Sequence, residues 1–377
     1  MLKEICNFLF FKFGYNRFPP VYDLGFDGRE NQRRVLVSYL SDGLSKGLSS
    51  FKFSTNRHEN AVIINEFINQ GYLVDVYDCR DEISKLNDKK YDVIFGFGHP
   101  FRNGELAEGG LRVLYCTESH PSLMLIRESR RIEDFNARHN ASLKNERSGS
   151  YYKVEDYTLA DKFYVMGSLN ADYLVNDIKI SCGNISLINP TGIEPSFKKL
   201  ELESEANDFL WFGSRGFVLK GLDLVIEAFL QCKIKNNLHI CGVEEKVIKK
   251  FYPNLDERFI FYGQVDAKDD SFKDILKRCS YIILASASEG VSTSILTGMR
   301  HGLIPILSKE CGLKLGDLGI ELDECSISEI RDVIIDCSKK ERAEIDFLSK
   351  EVYDYANKKF CLTSYEKQVS ELLLRLK

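Results

Sequence analysis

The chain has 377 residues, 44% hydrophobic and 12% aromatic, and its 51 Lys and Arg stand against 56 Asp and Glu. This length predicts two domains, and the apolar content excludes a disordered or collagen-like chain. The net charge of −5 excludes the basic surface that tracks phosphates, so no nucleic-acid partner is predicted.

Eleven cysteines are distributed along the chain without a Cys-x-x-Cys pair or a zinc-finger spacing. Disulfide frameworks are typical of short secreted chains, so we predict buried, reduced thiols in a cytoplasmic protein. The sequence has no run of about 18 apolar residues, so no membrane-spanning helix is predicted. The aromatic segment from Phe8 to Phe13 favours packing against the first domain; weak peripheral binding at the inner face of a membrane is the alternative.

Short apolar runs alternate with segments of helical periodicity in the first half of the chain. Ala61, Ile64 and Phe67 recur at helical spacing, and Gly71 follows where a C-terminal cap belongs. Strands separated by helices indicate βαβ units and a parallel sheet, in a domain of residues 1–195. The predicted strands are 35–40, 73–77, 93–97, 113–116, 162–166 and 185–188.

The second half repeats this rhythm after a polar stretch at residues 196–208, which is the predicted linker. Residues 209–350 are therefore predicted to form a second doubly wound α/β domain. A last amphipathic helix follows within residues 351–377. Strands are predicted at 209–212, 238–241, 259–262, 281–285 and 303–307, and helices at 222–230 and 272–279.

Three predicted strands of the second domain end directly in glycine, at Gly213, Gly242 and Gly263. Ligands of open α/β sheets bind beyond the carboxyl ends of strands, and glycine there lets the backbone approach a phosphate or a base. One such glycine is typical of an ordinary tight turn. Three in succession favour a ligand site at this edge of the sheet.

Two loops carry groups suited to a diphosphate. Arg215 and Lys220 lie five residues apart around a turn, where they can reach one anion from either side. A later loop bears Glu289, and hydroxyl residues from Ser292 to Ser294 then open a helix, whose unpaired amides attract anions. Taken separately, the first loop also fits two solvated charges, and the second fits ordinary helix capping.

Taken in order, these segments resemble the family 4 retaining glycosyltransferases of GT-B architecture, the glycosyl transferases group 1. The resemblance covers residues 209–315 closely and the first half more loosely. It implies two Rossmann-like, doubly wound parallel-sheet domains that face each other across a cleft, with residues 351–377 crossing back to the first. The residues that carry it are Gly213, Arg215, Lys220, Gly221, Gly242, Gly263, Ser288, Glu289, Gly290, Gly302 and Pro305.

The resemblance also implies a role for individual residues. Arg215 and Lys220 would hold the donor diphosphate, Glu289 would face the transferred sugar, and His120 would lie beside that sugar; these four are the implied catalytic residues. The implied donor-binding residues are Gly43, Gly47, Gly213, Gly242, Gly263, Val265, Gly290, Val291, Ser292 and Thr297.

The implied reaction is a metal-independent transfer that retains anomeric configuration. A sugar passes from a nucleotide-diphosphate sugar of the UDP or GDP type, bound by the second domain, to a hydroxyl of a glycan or a lipid-linked acceptor on the first. The nucleotide sugar is a co-substrate, and no cofactor is implied. Polysaccharide assembly by a hexosyltransferase is the family-level expectation.

One position departs from the family pattern. The second glutamate of the family's Glu-x7-Glu motif, which grips the ribose hydroxyls, is replaced here by Thr297. A hydroxyl makes only a neutral hydrogen bond, which is weaker than one to a carboxylate. This departure leaves open a catalytically silent sugar-nucleotide-binding subunit. A GT-B sugar-nucleotide epimerase, which shares the architecture, is a second alternative, although Glu289 and the pair of Arg215 and Lys220 favour the transferase.

Neither a metal site nor an acceptor-phosphate patch is predicted. No Asp-x-Asp motif follows a strand, and the histidines form no ligand pattern. Arginines interleaved with acidic residues favour a solvated helical face over a phosphate patch. The arginines concerned are Arg127, Arg130, Arg131, Arg138 and Arg147.

Overall fold

The structure is a computed structural model, and it describes residues 18–29, 32–42, 44, 55–81, 86–149, 152–194 and 207–376. Gly43, Gly47, the Phe8 to Phe13 segment and nearly all of the predicted linker lie outside the described residues. The cysteines that are described are free thiols, most of them buried. Over the same ranges, no helix is long and apolar enough to cross a membrane.

The chain divides into two compact units that exchange segments. The first comprises Met1–Pro121, Gly149–Pro190 and Leu362–Lys377, and the second comprises Ser122–Ser148 and Thr191–Cys361. The sequence predicts a single boundary near residue 195. The structure differs, because Ser122–Ser148 belongs to the second unit. This exchange brings the arginine-rich segment into the unit that carries the predicted donor site.

The first unit is built on a seven-stranded sheet of order β1-β3-β2-β4-β5-β6-β7. Its strands run parallel, except that β1 pairs antiparallel with β3 at the edge. The strands are β1 (Val21–Leu24), β2 (Arg34–Tyr39), β3 (Leu73–Asp78), β4 (Lys90–Gly96), β5 (Glu105–Cys116), β6 (Lys162–Val165) and β7 (Ile185–Leu187). The helices are α1 (Thr55–Asn69), α2 (His99–Asn103), α4 (Val154–Leu159), α5 (Ser168–Asn176) and α12 (Leu362–Leu374).

The central strands of this sheet are covered on both faces. Val35, Leu36 and Val37 are fully buried in succession, the pattern of a parallel strand with helices on either side. The C-terminal helix α12 packs onto the same unit, where the Tyr365 hydroxyl lies 2.8 Å from the Tyr115 hydroxyl. A buried hydroxyl pair of this kind fixes the register of the helix, because each hydroxyl leaves an unsatisfied partner if the helix slides.

The second unit holds a six-stranded, fully parallel sheet of order β10-β9-β8-β11-β12-β13. The strands are β8 (Asp208–Phe212), β9 (Leu238–Cys241), β10 (Phe259–Gly263), β11 (Cys279–Leu284), β12 (Ile304–Ser308) and β13 (Ile320–Leu322). The helices are α3 (Pro121–His139), α6 (Leu222–Gln231), α7 (Glu245–Ile248), α8 (Asp270–Arg278), α9 (Thr293–Arg300), α10 (Ile327–Ser338) and α11 (Arg342–Lys359).

The order of this second sheet reverses between β8 and β11. The chain proceeds outward from β8 through β9 to β10, then returns to the other side of β8 as β11. Doubly wound sheets bind ligands in the crevice outside the carboxyl ends of the strands at such a point, where the strand order reverses. The loops after β8 and β11 carry Lys220 and Glu289.

Candidate active site

The loops that follow β8 and β11 are packed against each other. Gly221 has a φ of +70°, and a Cβ placed on it would lie 2.3 Å from the carbonyl oxygen of Ala285. The amide of Ala287 donates to the carbonyl of Leu219 at 2.8 Å. Only glycine permits this approach, since a side chain would meet backbone in a conformation that L-residues disfavour. The turn thereby brings Lys220 to the β11 loop.

Lys220 and Glu289 form a largely buried ion pair at this point. The Nζ of Lys220 lies 2.5 Å from Oε1 of Glu289, to which the hydroxyl of Ser286 also donates at 3.0 Å. Lys220 is only 7% exposed. Burial raises the pKa of the Glu289 carboxyl, but Lys220 and Arg147 outweigh it and hold that pKa below its ordinary value. Glu289 is therefore ionised at neutral pH.

Arg215 has a different environment from Lys220. Its side chain is 66% exposed, and its Nε lies 3.8 Å from Oε2 of Glu146, itself well exposed. An exposed pair at this separation contributes little to stability, so the guanidinium is available to another anion. The structure thus gives the two predicted cations separate carboxylate partners, with Lys220 held in place and Arg215 at the surface.

Helix α9 begins immediately after Glu289. Ser292 occupies its N-cap position, yet its side chain makes no capping hydrogen bond and instead lies 3.0 Å from the hydroxyl of Ser294. Gly290 and Val291 are buried before it, with the carbonyl of Gly290 so close to Gly312 that a Cβ there would lie 1.9 Å away. A helix start without a side-chain cap keeps amides for an anion.

The three strand-end glycines are close-packed against one another. A Cβ on Gly242 would lie 1.8 Å from the carbonyl oxygen of Gly213, and the amide of Gly242 donates to the carbonyl of Gly263 at 2.6 Å. Neighbouring backbone therefore requires glycine at Gly242, whatever a ligand does there. Val265, the predicted contact for the base, is half-buried just beyond β10.

The hydroxyl of Thr297 is used inside the fold. It donates to the carbonyl of Thr293 at 2.8 Å and accepts from the amide of Ile193 at 3.2 Å, and the residue is 1% exposed. The first bond lies within α9, and the second ties this helix to Ile193 in an earlier segment of the second unit. The predicted contact between Thr297 and the donor gains no support from this geometry, because the donor hydrogen of the hydroxyl is already engaged.

His120 lies in the first unit, in an aromatic environment. Its ring centroid is 4.4 Å from that of Tyr157 and 5.5 Å from that of Tyr173. Burial lowers the pKa of the imidazole, so His120 is neutral at physiological pH. Its assignment beside the donor sugar stays a prediction.

Four of the five interleaved arginines line a cavity of about 460 Å³ in the second unit. Their charges are largely matched: Arg138 Nη2 lies 2.5 Å from Oδ2 of Asp223, and Arg131 donates to the carbonyl of Ala285 at 3.0 Å. Four carboxylates line the same cavity. The residues concerned are Arg127, Arg130, Arg131 and Arg138 with Asp134, Glu310, Asp323 and Glu324. This balance does not favour a phosphate patch.

Sequence reasoning missed two groups at the site. Ser286 lies in the same loop as Glu289, and its small hydroxyl gave no signal apart from that proximity. Arg147 was assigned to a solvated helical face, which is wrong, because α3 ends at His139 and Arg147 lies close enough to Glu289 to lower its pKa. In the described ranges, no group of three or more His, Cys, Asp or Glu side chains could hold a metal ion.

Residues 206–337 match the family described as glycosyl transferases group 1. This match spans the sheet of the second unit from β8 to β13, including Lys220, Glu289 and helix α9. No curated protein shows a significant sequence similarity to the chain.

Several solved structures share the fold over most of the chain. Anabaena HepE, in complex with UDP and glucose, has a TM-score of 0.57 and 11% identity over 92% of this chain and 100% of that one. The sucrose-phosphate synthase of Thermosynechococcus elongatus has a TM-score of 0.62 and 13% identity, covering 92% and 99%. WaaG, a glycosyltransferase of lipopolysaccharide biosynthesis, has a TM-score of 0.59 and 13% identity over 90% and 99%.

The fold is GT-B. Both units have the parallel-sheet α/β architecture of that class, and the β8–β11 switch point occurs in the unit that the family match covers. Together, the family match and the fold indicate a glycosyltransferase. Within this GT-B fold, the ion pair of Lys220 and Glu289 and the start of α9 occupy the position where a doubly wound sheet binds its ligand.

Proposed function

We propose that this protein transfers a sugar from a nucleotide-diphosphate sugar to a hydroxyl of a glycan or lipid-linked acceptor, with retention of configuration and without a metal. The observation that carries the proposal is the ion pair of Lys220 and Glu289 at the switch point of the second sheet. A buried ammonium beside an uncapped helix start suits a diphosphate, and the carboxylate suits the hydroxyls of a sugar.

Lys220 and the first amides of α9 would stabilise the negative charge that develops on the departing diphosphate. The bond between the anomeric carbon and the diphosphate oxygen breaks, and a bond to the acceptor oxygen forms on the same face. The proton of the acceptor hydroxyl passes to the departing diphosphate oxygen. The protein contributes fixed charges and orientation, which cost no reorganisation when the reaction occurs.

Glu289 would orient the transferred sugar. Its carboxylate is ionised and accepts from Lys220 and Ser286, and an ionised carboxylate is a suitable acceptor for sugar hydroxyls. Retention and metal independence are family-level expectations for such a site. The proposal of a polysaccharide or lipid-linked acceptor is supported by WaaG, a solved neighbour that is a glycosyltransferase involved in lipopolysaccharide biosynthesis. Another neighbour, a pneumococcal O-GlcNAc transferase, was solved with UDP and GlcNAc, which supports a UDP-sugar as the donor.

The test combines binding with turnover. Calorimetry with UDP- and GDP-sugars measures donor binding, and mass spectrometry of acceptor mixtures with a chelator present measures transfer. We expect one donor class to bind and to be transferred, with the product anomer, read by NMR, matching the donor. Binding without transfer or hydrolysis would favour the silent sugar-nucleotide-binding subunit that Thr297 left open. Conversion of the donor sugar without an acceptor would favour the epimerase.

A further inference from the structure

A buried carboxylate organises the turn that follows helix α3. Oε1 of Glu128 accepts from the amides of Glu146 and Arg147 at 2.8 and 2.9 Å, and Oε2 accepts from the amide of Ser148 at 2.7 Å. The hydroxyl of Ser148 donates to Oε2 as well. Glu128 is 1% exposed. Burial raises the pKa of this carboxyl, but the four hydrogen bonds outweigh it and lower the pKa, so Glu128 is ionised.

This anchored turn delivers Arg147 to the candidate active site. A Cβ placed on Gly216 would lie 3.2 Å from Cγ of Arg147, so the stem of the arginine packs against the loop that carries Arg215 and Lys220. Its guanidinium is near enough to Glu289 to stabilise the ionised carboxylate. Ser122–Ser148 and Thr191–Cys361 belong to the same compact unit, so all of these residues are held in one body.

The arrangement brings three cations to the site, Lys220, Arg147 and Arg215. Of the carboxylates near them, Glu289 pairs with Lys220, Glu146 lies beside Arg215, and Glu128 is engaged by the hydrogen bonds of the turn. Arg147 is half-buried on a turn fixed by four hydrogen bonds, whereas Arg215 is largely exposed. A preorganised guanidinium loses less side-chain entropy on binding an anion, and its planar fork matches two phosphate oxygens.

We propose that Arg147 is a third cation of this site and binds the diphosphate of the donor, and that Glu128 is the residue that positions it. The inference rests on the proposed function and assigns to it a residue from outside the segment that matches the family. On donor binding, the guanidinium contacts phosphate oxygens, while Lys220 keeps Glu289 ionised.

The test measures UDP and UMP affinities, or GDP and GMP if the protein prefers them, by calorimetry on the full chain. Loss of one charge-assisted contact to the diphosphate predicts that Arg147→Met weakens diphosphate binding about tenfold or more. Monophosphate affinity should change far less, and Arg147→Lys should recover part of the loss. Arg130→Met is the matched control, since Arg130 is an exposed arginine of the same segment.

The positioning role of Glu128 has its own readout. Glu128→Gln should weaken diphosphate binding, and the double variant Glu128→Gln with Arg147→Met should bind no more weakly than Arg147→Met alone. If the losses of diphosphate affinity from the two single variants added up in the double variant, Glu128 would not act through Arg147. Unchanged diphosphate affinity in Arg147→Met, or equal losses for monophosphate and diphosphate, would overturn the inference and leave the proposed function intact. If the wild type bound none of these nucleotides, the proposed function would fail, and the inference that rests on it would fail as well.

Discussion

Lys220 Nζ lies 2.5 Å from Oε1 of Glu289, and this ion pair joins the loops that leave β8 and β11. The two strands are neighbours in the sheet although the chain visits β9 and β10 between them. The pair therefore connects the two loops directly at the switch point of the second sheet. A ligand anion that enters there shares the ammonium group with Glu289, since this group has three N–H donors.

Replacement of the ammonium group should abolish most of the activity. We expect Lys220→Met to lower sugar transfer by two to three orders of magnitude, on the order of the loss seen when one fixed donor to a developing charge is removed. Initial rates with saturating donor measure this. Lys249→Met is the control, because Lys249 is a well-exposed lysine of the same unit, paired with Glu245 at 2.8 Å. Equal rates in both variants would refute the assigned role.

The glycine at the β8 turn should be irreplaceable for a steric reason. Gly221→Ala places a methyl group 2.3 Å from the carbonyl oxygen of Ala285, at a φ of +70°. Gly316→Ala provides the comparison, since Gly316 has a φ of +56° and nothing within 4 Å of its Cβ position. The control should lose roughly 1–2 kcal/mol of unfolding free energy, the cost of the left-handed conformation. Urea denaturation should show a larger loss for Gly221→Ala, and equal losses would contradict the clash.

Removal of the Thr297 hydroxyl should lower the unfolding free energy and leave the nucleotide affinity unchanged. Thr297→Val leaves the amide of Ile193 without its acceptor, which costs about 1–3 kcal/mol. Urea denaturation and nucleotide calorimetry on the same variant separate the two effects. Thr158→Val, whose hydroxyl donates to Glu155 at the surface, should change the unfolding free energy by less than about 0.5 kcal/mol. Weaker nucleotide binding at unchanged stability would instead support a ribose contact.

A buried carboxylate of helix α6 should make stability depend on pH. Burial raises the pKa of Asp223 to about 6 from its ordinary 3.8, although Arg138 opposes the shift. Between these values the folded state keeps a proton that the unfolded state releases, so the unfolding free energy of the wild type falls as pH rises. Asp223→Asn stays neutral and lacks this slope.

The stability of Asp223→Asn relative to the wild type should therefore increase between pH 3.8 and about 6 and level off above that range. Urea denaturation series at several pH values measure the difference in unfolding free energy. A difference that stays constant across the range would show that the carboxyl titrates as an ordinary aspartate. One that changes only below pH 3.8 would show that Arg138 holds the pKa of the carboxyl below its ordinary value.

Most strands were predictable, because burial leaves a periodic signature in the sequence. The apolar runs at 35–40, 73–77 and 238–241 correspond to β2, β3 and β9 within one residue at each end. Strands β1 and β13 were missed: β1 is a four-residue edge strand with exposed positions, and β13 has only three residues. Edge strands lack the continuous burial that makes a central parallel strand visible.

The local motifs of the donor side were also readable from the sequence, since Arg215, Lys220, Glu289 and the helix start lie in loops whose residue types already suit a diphosphate. The residues that these groups contact in the folded protein could not be read from the sequence. Three contacts join segments that are separated in the chain. They are Lys220 with Glu289, Thr297 with Ile193, and the amide of Arg147 with Glu128.

The sequence by itself determined the alternation of strands and helices, the glycine turns and the identity of the charged loops, because each depends on neighbours along the chain. Only the tertiary structure decided which loops meet, and that Ser122–Ser148 joins the second unit. Strand order and side-chain packing bring distant segments together, and residue periodicity carries no record of the partner against which a segment packs.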